Sequence, residues 1–207
     1  MKTKIQWSIA STSVVLLSLL SYLFADIQTA LWFHAIDKTF FYKVFCKVTL
    51  FGDSFGYLIG GLLLFAIFCK WNYYWASSGL FLFSTVAVSG LSADLVKYVA
   101  GRARPKLYFQ EHLYGFNSFH WEHAWTSFPS GHSATALSVA TLLAILYPRW
   151  RVVALFCGFL IAFSRIVLTE HYISDVIAGS FLGIVSTVLL YNLYFKAKFE
   201  AIDHHKI

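Results

Sequence analysis

Three polar patches interrupt an otherwise apolar chain, and the first of them spans residues 97–105. Lys97 and Arg104 lie seven positions apart in this patch, and Pro105 follows directly. If one helix ran through the patch, this spacing would place both cations on one face, and Pro105 would end the helix. A lysine point charge beside a bidentate arginine would then form a clamp for phosphate. Taken alone, the patch is equally typical of ordinary charge at the edge of a membrane segment.

The second patch, residues 128–132, leads into a long apolar segment. Ser130 is predicted to be the N-cap of a helix, whose first amides point outward without backbone partners. Gly131 would let a ligand approach the backbone, and the start of a helix favours anions. His132 would stand there as a proton donor. The alternative is a capped helix with an interfacial histidine.

The third patch, residues 164–175, contains a histidine and a carboxylate four positions apart, His171 and Asp175. On one helix they would lie one turn apart on the same face. The carboxylate could then keep one imidazole nitrogen protonated and leave the other as a nucleophile. Arg165 is six positions before His171, which predicts an intervening turn that brings it back to the site. The alternative is a His–Asp pair that joins two helices.

Six apolar segments must position these patches, and most approach the roughly 20 residues of a membrane-spanning helix. The segments are approximately 7–25, 51–69, 75–94, 132–147, 152–168 and 173–195. We therefore predict an all-α fold, a single domain over residues 1–207 that forms a bundle of six transmembrane helices. The mixed segment 26–50 is expected to lie along the membrane surface. The patches then meet at one membrane face, because they follow span three, precede span four and join spans five and six.

The composition supports a membrane protein. The chain has 207 residues, of which 58% are hydrophobic and only 13% charged, against about 25% charged in soluble proteins. The net charge of +6 comes without a dense basic run, so we expect no nucleic-acid partner. Cys46, Cys69 and Cys157 are expected to be buried, unpaired thiols. Residues 1–4 and the apolar run after them resemble a signal peptide, but the length of that run favours a retained helix.

The distribution of basic residues predicts the orientation. With the N-terminus inside, the inner segments hold Lys2, Lys4, Lys70, Arg149, Arg151, Lys196, Lys198 and Lys206. The outer segments hold Lys38, Lys43, Lys47, Lys97, Arg102, Arg104, Lys106 and Arg165. The inner segments are shorter and hence denser in charge, and several outer cations are candidate site residues. Both termini are therefore predicted to be cytoplasmic, with the site facing the periplasm.

Residues 97–105, 129–132 and 164–175 together resemble the three-part signature of the type 2 phosphatidic acid phosphatase superfamily. Every signature position matches, and the spacing within each part is intact. The similarity covers about residues 97–175, and the flanking segments match the six-helix membrane form of the family. The short chain, without an added soluble domain, is similar to bacterial inner-membrane members.

The resemblance implies a metal-independent lipid phosphatase with a phosphohistidine intermediate. It implies that His171 attacks phosphorus, that Asp175 orients it, and that His132 protonates the leaving oxygen. The residues that it implies hold the phosphate are Lys97, Arg104, Ser130, Gly131 and Arg165. No cofactor and no metal are expected, and the expected partners are a lipid phosphate and the bilayer, with no obligatory protein partner.

Other readings of the sequence remain open. His120, Glu122 and His123 could offer metal ligands, although no further ligand is placed by spacing. The superfamily includes soluble haloperoxidases, which six apolar segments argue against. A membrane anion carrier would need the three cations but not the His–Asp pair opposite His132.

Several phosphorylated lipids are candidate substrates. Candidates are lipid A phosphates, undecaprenyl diphosphate, phosphatidylglycerophosphate and phosphatidic acid. The aromatic loop 107–127 resembles that of bacterial lipid A phosphatases, which makes lipid A the favoured substrate.

Overall fold

The computed structural model describes residues 2–36 and 39–204, and within them the chain is helical without a named strand. The α-helices are α1 (Lys2–Phe24), α2 (Asp26–Ala35), α3 (Phe40–Val48), α4 (Ser54–Phe68), α5 (Tyr73–Ala100), α6 (Pro105–Glu111), α7 (Gly131–Leu146), α8 (Arg151–Val167), α9 (Ile173–Leu190) and α10 (Lys196–His204). Short 3-10 turns at Thr49–Gly52, His123–Trp125 and Pro148–Trp150 and a π-helical turn at Tyr191–Phe195 complete the chain. Met1, Lys38 and Lys206, three residues used in the sequence predictions, lie outside the described residues.

Five helical stretches of the described chain are long and apolar enough to cross a membrane. They are Ile5–Phe24, Phe40–Phe68, Tyr73–Ala100, Pro148–Val167 and Ile173–Ile202. Gly131–Leu146 is apolar but shorter, with 16 residues. Each predicted apolar segment is thus helical, and the molecule is a multi-pass membrane protein. Residues 40–48 form the separate helix α3, and a 3-10 turn and the extended Asp53 lie between α3 and α4. The position of segment 26–50 along the membrane surface stays a prediction.

The bundle has an apolar exterior and small polar side chains in its interior, as expected when lipid is the solvent. Val152 and Leu91 are more than two-thirds exposed, at 73% and 72%. Inside, the hydroxyls of Thr85 on α5 and Thr187 on α9 lie 2.5 Å apart and are fully buried. Cys46 and Cys157, both predicted to be buried, are exposed, and Cys69 is only partly buried. All three are unpaired as expected.

Helix α7 occupies the centre of the bundle, since it packs against α5, α8 and α9. One apolar core joins it to α2, α3, α8 and α9 through residues that include Phe33, Phe45, Leu137 and Ile166. A second core, around Phe81, connects α5 with the C-terminal helices. Helix α1 packs against α9. The central position of α7 brings its N-terminus close to the ends of α5, α8 and α9.

Candidate active site

The start of α7 is built as the sequence predicts. Ser130 is its N-cap, and its side chain accepts hydrogen bonds from the Ser133 amide (3.4 Å) and hydroxyl (2.9 Å). The Ser130 amide donates to the carbonyl oxygen of Asp175 at 3.0 Å. This approach requires Gly179 on α9, because a side chain there would begin 2.3 Å from the Ser130 carbonyl oxygen. The predicted anion-binding helix start therefore adjoins the predicted catalytic carboxylate.

Lys97 lies in the last turn of α5, over the start of α7. A side chain on Gly131 would begin 3.1 Å from Nζ of Lys97, so the ammonium group stands next to the first residue of α7. The same ammonium pairs with Asp94 at 2.8 Å. Asp94 was not predicted from the sequence, although its spacing of three from Lys97 is typical of a helical ion pair.

The predicted helix through Lys97 and Arg104 is wrong. Helix α5 ends at Ala100, because Gly101 adopts a left-handed conformation with φ +59. A side chain on Gly101 would also collide with the Asn117 carbonyl, 1.6 Å away. Arg104 is instead the N-cap residue of α6, and Pro105 begins that helix rather than ending the previous one. The two cations reach the site from separate elements.

Arg104 is buried among backbone carbonyls on one side of the site. Its Nε donates to the His123 carbonyl at 2.8 Å, and its Nη2 donates to the Thr126 carbonyl at 3.3 Å. Its Nη1 lies 3.3 Å from Oε2 of Glu170 and 3.5 Å from Nε2 of His171. Burial lowers the pKa of Arg104, and the negative charge of Glu170 opposes that effect.

Arg165 approaches from the last turn of α8, and the predicted turn follows at residues 168–172. Its Nη1 donates to the Thr49 hydroxyl at 2.7 Å, and its Nη2 lies 3.7 Å from the same Oε2 of Glu170. Its Nε is buried without a hydrogen-bond partner in the described part of the chain. Two guanidinium groups thus converge on one anionic oxygen, although Glu170 was not predicted as a site residue.

His171 and Asp175 meet, but not on one helix as predicted. Helix α9 begins at Ile173, so His171 lies just before it, while Asp175 caps the helix by accepting from the Tyr172 amide at 2.9 Å. Nδ1 of His171 lies 3.6 Å from Oδ2 of Asp175 and has no hydrogen-bond partner among the described residues. The opposite nitrogen, Nε2, faces Arg104. The loop before α9 brings the two side chains together in place of a helical turn.

The surroundings of His171 favour its neutral form. Only 3% of the residue is exposed. Burial lowers the pKa of His171 to about 3, although the nearby Asp175 carboxylate acts in the opposite direction. The imidazole therefore has a free lone pair near neutral pH, as a nitrogen nucleophile requires.

His132 lies on the first turn of α7, beside a cavity of about 160 Å³. The cavity is lined by Gly52, Asp53, Ser54, Gly90, Asp94, Lys97, Gly131, His132 and Thr135. A side chain on Gly52 would begin 2.9 Å from Cδ2 of His132 and 3.0 Å from Ile161. His132 is thus held against the 3-10 turn that precedes α4, within electrostatic range of Lys97 and Arg165.

Arg102 and Asp26 form a buried network behind Asp175 that the sequence did not reveal. Arg102 has no exposed surface, and its guanidinium contacts the carboxylates of both Asp26 and Asp175. Burial alone would lower the pKa of Arg102, but the two carboxylates outweigh it and raise the pKa. The partners lie 76 and 73 positions away in the chain, so no local spacing indicates either pair.

The possible metal ligands of the outer loop do not form a cluster. His120 stacks on Trp125 with ring centroids 5.5 Å apart. Within residues 2–36 and 39–204, no group of three histidine, cysteine, aspartate or glutamate side chains is arranged to hold a metal ion.

The fold and the site define a multi-pass membrane protein in which lysine and arginine side chains lie near two histidines. The model of the PAP2 superfamily matches residues 78–199, more than half of the 207-residue chain. The chain therefore belongs to the PAP2 (type 2 phosphatidic acid phosphatase) superfamily, which confirms the resemblance found in the sequence.

Two curated relatives carry the name lipid A 1-phosphatase. The protein of Rhizobium etli is 42% identical over 105 residues, which is 51% of this chain and 45% of the relative. That of Rhizobium johnstonii is 35% identical over 154 residues, 66% of this chain and 61% of the relative. The chain thus spans roughly half to three-fifths of the length of these relatives.

Two solved structures share the fold. LpxE from Aquifex aeolicus superposes with a TM-score of 0.61 at 19% identity, covering 81% of this chain and 94% of the other. A PAP2-type phosphatidylglycerolphosphate phosphatase from Bacillus subtilis gives a TM-score of 0.62 at 22% identity, covering 89% and 96%. At these identities the likeness concerns the fold alone.

Proposed function

We propose that this protein is a metal-independent membrane phosphatase that removes phosphate from a lipid through a phosphohistidine at His171. One observation carries the proposal. Arg104 and Arg165 share a single carboxylate oxygen of Glu170, at 3.3 and 3.7 Å, next to Nε2 of His171. An oxygen of a bound phosphate would find the same two partners there. Fixed cations of this kind stabilise the charge that develops in phosphoryl transfer.

In the first step, Nε2 of His171 attacks phosphorus while the bond from phosphorus to the lipid oxygen breaks. His132 donates a proton to that oxygen, so the lipid leaves as an alcohol. Asp175 keeps the proton on Nδ1 of His171 and offsets the positive charge of the phosphorylated ring. The remaining site residues hold the phosphate oxygens: Lys97, Arg104, Ser130, the Gly131 amide and Arg165.

In the second step, water attacks phosphorus and the bond from phosphorus to Nε2 breaks. His132, now neutral, accepts a proton from the water. Inorganic phosphate leaves, and both histidines return to their starting state. The same residue thus serves as acid and then as base, as microscopic reversibility suggests.

A groove in the membrane-facing surface supports a lipid substrate. It has a volume of about 640 Å³ and is lined by apolar side chains of α3, α4, α7 and α8, among them Val139, Leu143, Val153 and Ile161. Ile161 and His132 both lie next to Gly52, since a side chain on Gly52 would begin within about 3 Å of each. The groove therefore ends next to the proposed proton donor, where the lipid oxygen would lie.

Lipid A carrying a 1-phosphate is the substrate that we favour, because three relatives above 30% identity bear the name lipid A 1-phosphatase. We further propose six membrane spans, with Gly131–Leu146 as the fourth and shortest. The protein would lie in the bacterial inner membrane with cytoplasmic termini, and the site would face the periplasm, where lysine and arginine are less dense.

The direct test measures phosphate release by the purified protein in detergent with excess chelator. The substrates are lipid A 1-phosphate, undecaprenyl diphosphate, phosphatidylglycerophosphate and phosphatidic acid, with His171→Ala as the control. We expect release from lipid A 1-phosphate, confirmed by the mass of the lipid product, and none from the control. A faster reaction with another lipid would replace the proposed substrate. Phosphate binding without release would indicate an anion carrier, and activity that returns only with a divalent ion would overturn metal independence.

A further inference from the structure

The side chain of Arg102 is enclosed on all sides behind the proposed nucleophile. Its Nη2 donates to Asp26 at 2.7 Å and to the Tyr114 hydroxyl at 3.1 Å. Its Nη1 donates to Asp175 and to the Ser174 hydroxyl, the latter at 2.6 Å. Because the residue has no exposed surface, this cation cannot contact a phosphate in the site.

Aromatic rings close the remaining space around the guanidinium. Its central carbon lies 4.7 Å from the ring centroid of Tyr172, 5.0 Å from Tyr22, 5.4 Å from Phe116 and 5.5 Å from Tyr114. Such rings attract a cation, and four side-chain partners also hydrogen-bond the guanidinium. Arg102 is therefore fixed in position relative to Asp175.

Asp26 holds the other side of Arg102 and comes from a distant part of the chain. It is the first residue of α2, it precedes the region that matches the superfamily, and only 1% of it is exposed. Its Oδ1 accepts from the Ser21 hydroxyl at 2.8 Å and from the Ser174 amide at 3.0 Å. Both carboxylate oxygens are thus occupied, and the contact with Ser174 connects Asp26 to the residue next to Asp175.

The two carboxylate oxygens of Asp175 face different partners, Arg102 on one side and His171 on the other. Oδ1 accepts from Arg102, whereas Oδ2 accepts from the Ser127 hydroxyl at 2.6 Å and faces Nδ1 of His171 at 3.6 Å. Arg102 therefore sets the rotation of the carboxylate that presents Oδ2 to the histidine.

From these contacts we propose that Asp26 and Arg102 are positioning residues that act on His171 through Asp175. This inference rests on the proposed function. Asp26, Arg102 and Asp175 together carry one net negative charge, which matches the single positive charge that the His171 ring gains when it is phosphorylated. If Asp26 were neutral, the positive charge of Arg102 would cancel the negative charge of Asp175. No net negative charge would then remain to offset the positive charge of the phosphorylated His171 ring.

Other charged groups also lie near His171, and aromatic rings surround Arg102. Arg104 approaches from the N-cap of α6 and Arg165 from the last turn of α8, and Glu170 pairs with both. Tyr114, Tyr172 and Tyr22 surround Arg102 with neutral rings. Among the described residues, the side chains of Asp26 and Arg102 form no hydrogen bond or ion pair with Arg104, Arg165 or Glu170. Their effect on His171 can therefore be separated from the phosphate clamp.

The test compares Asp26→Asn, Arg102→Lys and Arg102→Gln with a matched control, Thr85→Val. The control removes a fully buried polar contact between α5 and α9 that does not touch the site. For each protein, kcat, KM and the pH profile of kcat are measured with an aryl phosphate and with lipid A 1-phosphate. Thermal unfolding and the active fraction, from the phosphoenzyme burst, correct for misfolded protein.

Asp26→Asn is expected to lower kcat by about 10- to 100-fold, the cost typical of losing a residue that orients a functional side chain, with little change in KM. Arg102→Gln leaves two carboxylates behind His171, which raises the pKa of His171 and moves the acid limb of kcat to higher pH. Arg102→Lys keeps the charge and should keep the limb near that of the unchanged protein. Thr85→Val should lose thermal stability but keep kcat and the limb.

The inference fails if the unchanged protein is active and Asp26→Asn behaves like Thr85→Val once corrected for the active fraction. It also fails if the acid limb of Arg102→Gln does not move. Should Arg102→Gln not fold, the nearly isosteric Asp26→Asn still decides the question. An unchanged protein that hydrolyses none of the phosphates would overturn the proposed function, and this inference with it.

Discussion

The ring nitrogen of His171 that carries the proton determines which nitrogen can attack phosphorus. Nδ1 faces Asp175 at 3.6 Å, whereas Nε2 faces the Arg104 guanidinium at 3.5 Å. A carboxylate favours a proton on the nitrogen that it faces, and a cation disfavours one. The lone pair therefore belongs on Nε2, on the side where the two arginines converge. His132 lies on a different element, so the two histidines can serve different steps.

The two histidines should respond differently to the leaving group. His171→Ala removes the attacking nitrogen, so no substrate should be turned over. His132→Ala removes only the proton donor, and its penalty should shrink by up to about 10²–10⁴-fold when the leaving group departs without a proton. The measurement compares an aryl phosphate of low phenol pKa with a lipid alkyl phosphate, for both variants in detergent.

Asp175→Asn serves as the matched control in that experiment. It should resemble a weaker form of the His171 lesion, because the amide favours the wrong tautomer without removing the nucleophile. Rescue of His171→Ala by the aryl phosphate, together with no rescue of His132→Ala, would mean that the roles are reversed.

The buried imidazole should also make folding stability depend on pH. The pKa of His171 is about 3 in the folded protein and about 6.5 when the chain is unfolded. Between these values the unfolded chain binds a proton that the folded protein does not, so stability is lost as pH falls below about 6.5. From about pH 7 to about pH 5, this histidine should reduce the free energy of unfolding by about 2 kcal/mol.

Chemical unfolding in mixed micelles can measure this change for the unchanged protein and for His171→Asn. The variant lacks the titrating group, so its stability should depend less on pH by that amount. Equal slopes for the two proteins would contradict a neutral, buried His171.

Residue types and local spacing predicted the N-terminus of α7 but not the contacts that surround the candidate site. Ser130 and Gly131 could be placed because capping depends on neighbouring residues. The roles of Glu170 and Arg102 could not be predicted, because their partners are distant in the chain or come from separate elements. Arg102, expected from the sequence to be an outer charge, is fully buried.

At the scale of elements, turns position the site more than helical periodicity does. Gly101 ends α5 before Arg104, and α9 begins only after His171. Neither predicted same-face pair therefore lies on a single helix, although both residues of each pair still reach the candidate site. A long apolar run predicts a helix from neighbouring residues alone, because a segment in lipid must satisfy its own backbone hydrogen bonds. The direction of the chain after Gly101 depends instead on a tertiary contact with Asn117.

The groove between α7 and α8 should limit the use of long lipids. Cys157 is exposed and lines this groove. Cys157→Trp should raise KM for a long-chain lipid phosphate by about tenfold or more, since each displaced CH₂ costs about 0.8 kcal/mol. Activity with a soluble aryl phosphate should remain.

Cys69→Trp is the matched control, because Cys69 lines a different hollow, near Trp71 and Lys198. It should leave both substrates unaffected. An equal loss with the lipid and the aryl phosphate in Cys157→Trp would indicate damage to α8 rather than a blocked groove.

Across the whole molecule, apolar side chains cover the exterior of the bundle, and segments far apart in the chain contribute to the candidate site. Helices α1 and α2, which precede the matched region, carry Asp26 into the centre. The turn at Thr49–Gly52 supplies Thr49 to Arg165 and Gly52 to His132. This convergence could not be predicted from the patches alone, since the segment 26–50 carries no recognisable motif.

The proposed orientation can be tested with single cysteines in a chain whose three native cysteines are replaced. Gln110→Cys lies on α6 beside the site, and Trp71→Cys lies between α4 and α5, where Trp71 is 82% exposed. An impermeant thiol reagent added to intact spheroplasts should label Gln110→Cys, and Trp71→Cys should react only after lysis. The reverse pattern would place the site in the cytoplasm.

The central claim is that His171 carries the phosphoryl group during turnover. The most direct measurement is to quench the reaction at alkaline pH, digest the protein and locate phosphohistidine by mass spectrometry. His132→Ala with an aryl phosphate should accumulate this species, because the second step then lacks its base. We expect the phosphate on the peptide that contains His171, and none when His171 is also replaced by alanine. Turnover with no phosphorylated histidine, or with the phosphate on another residue, would contradict the account.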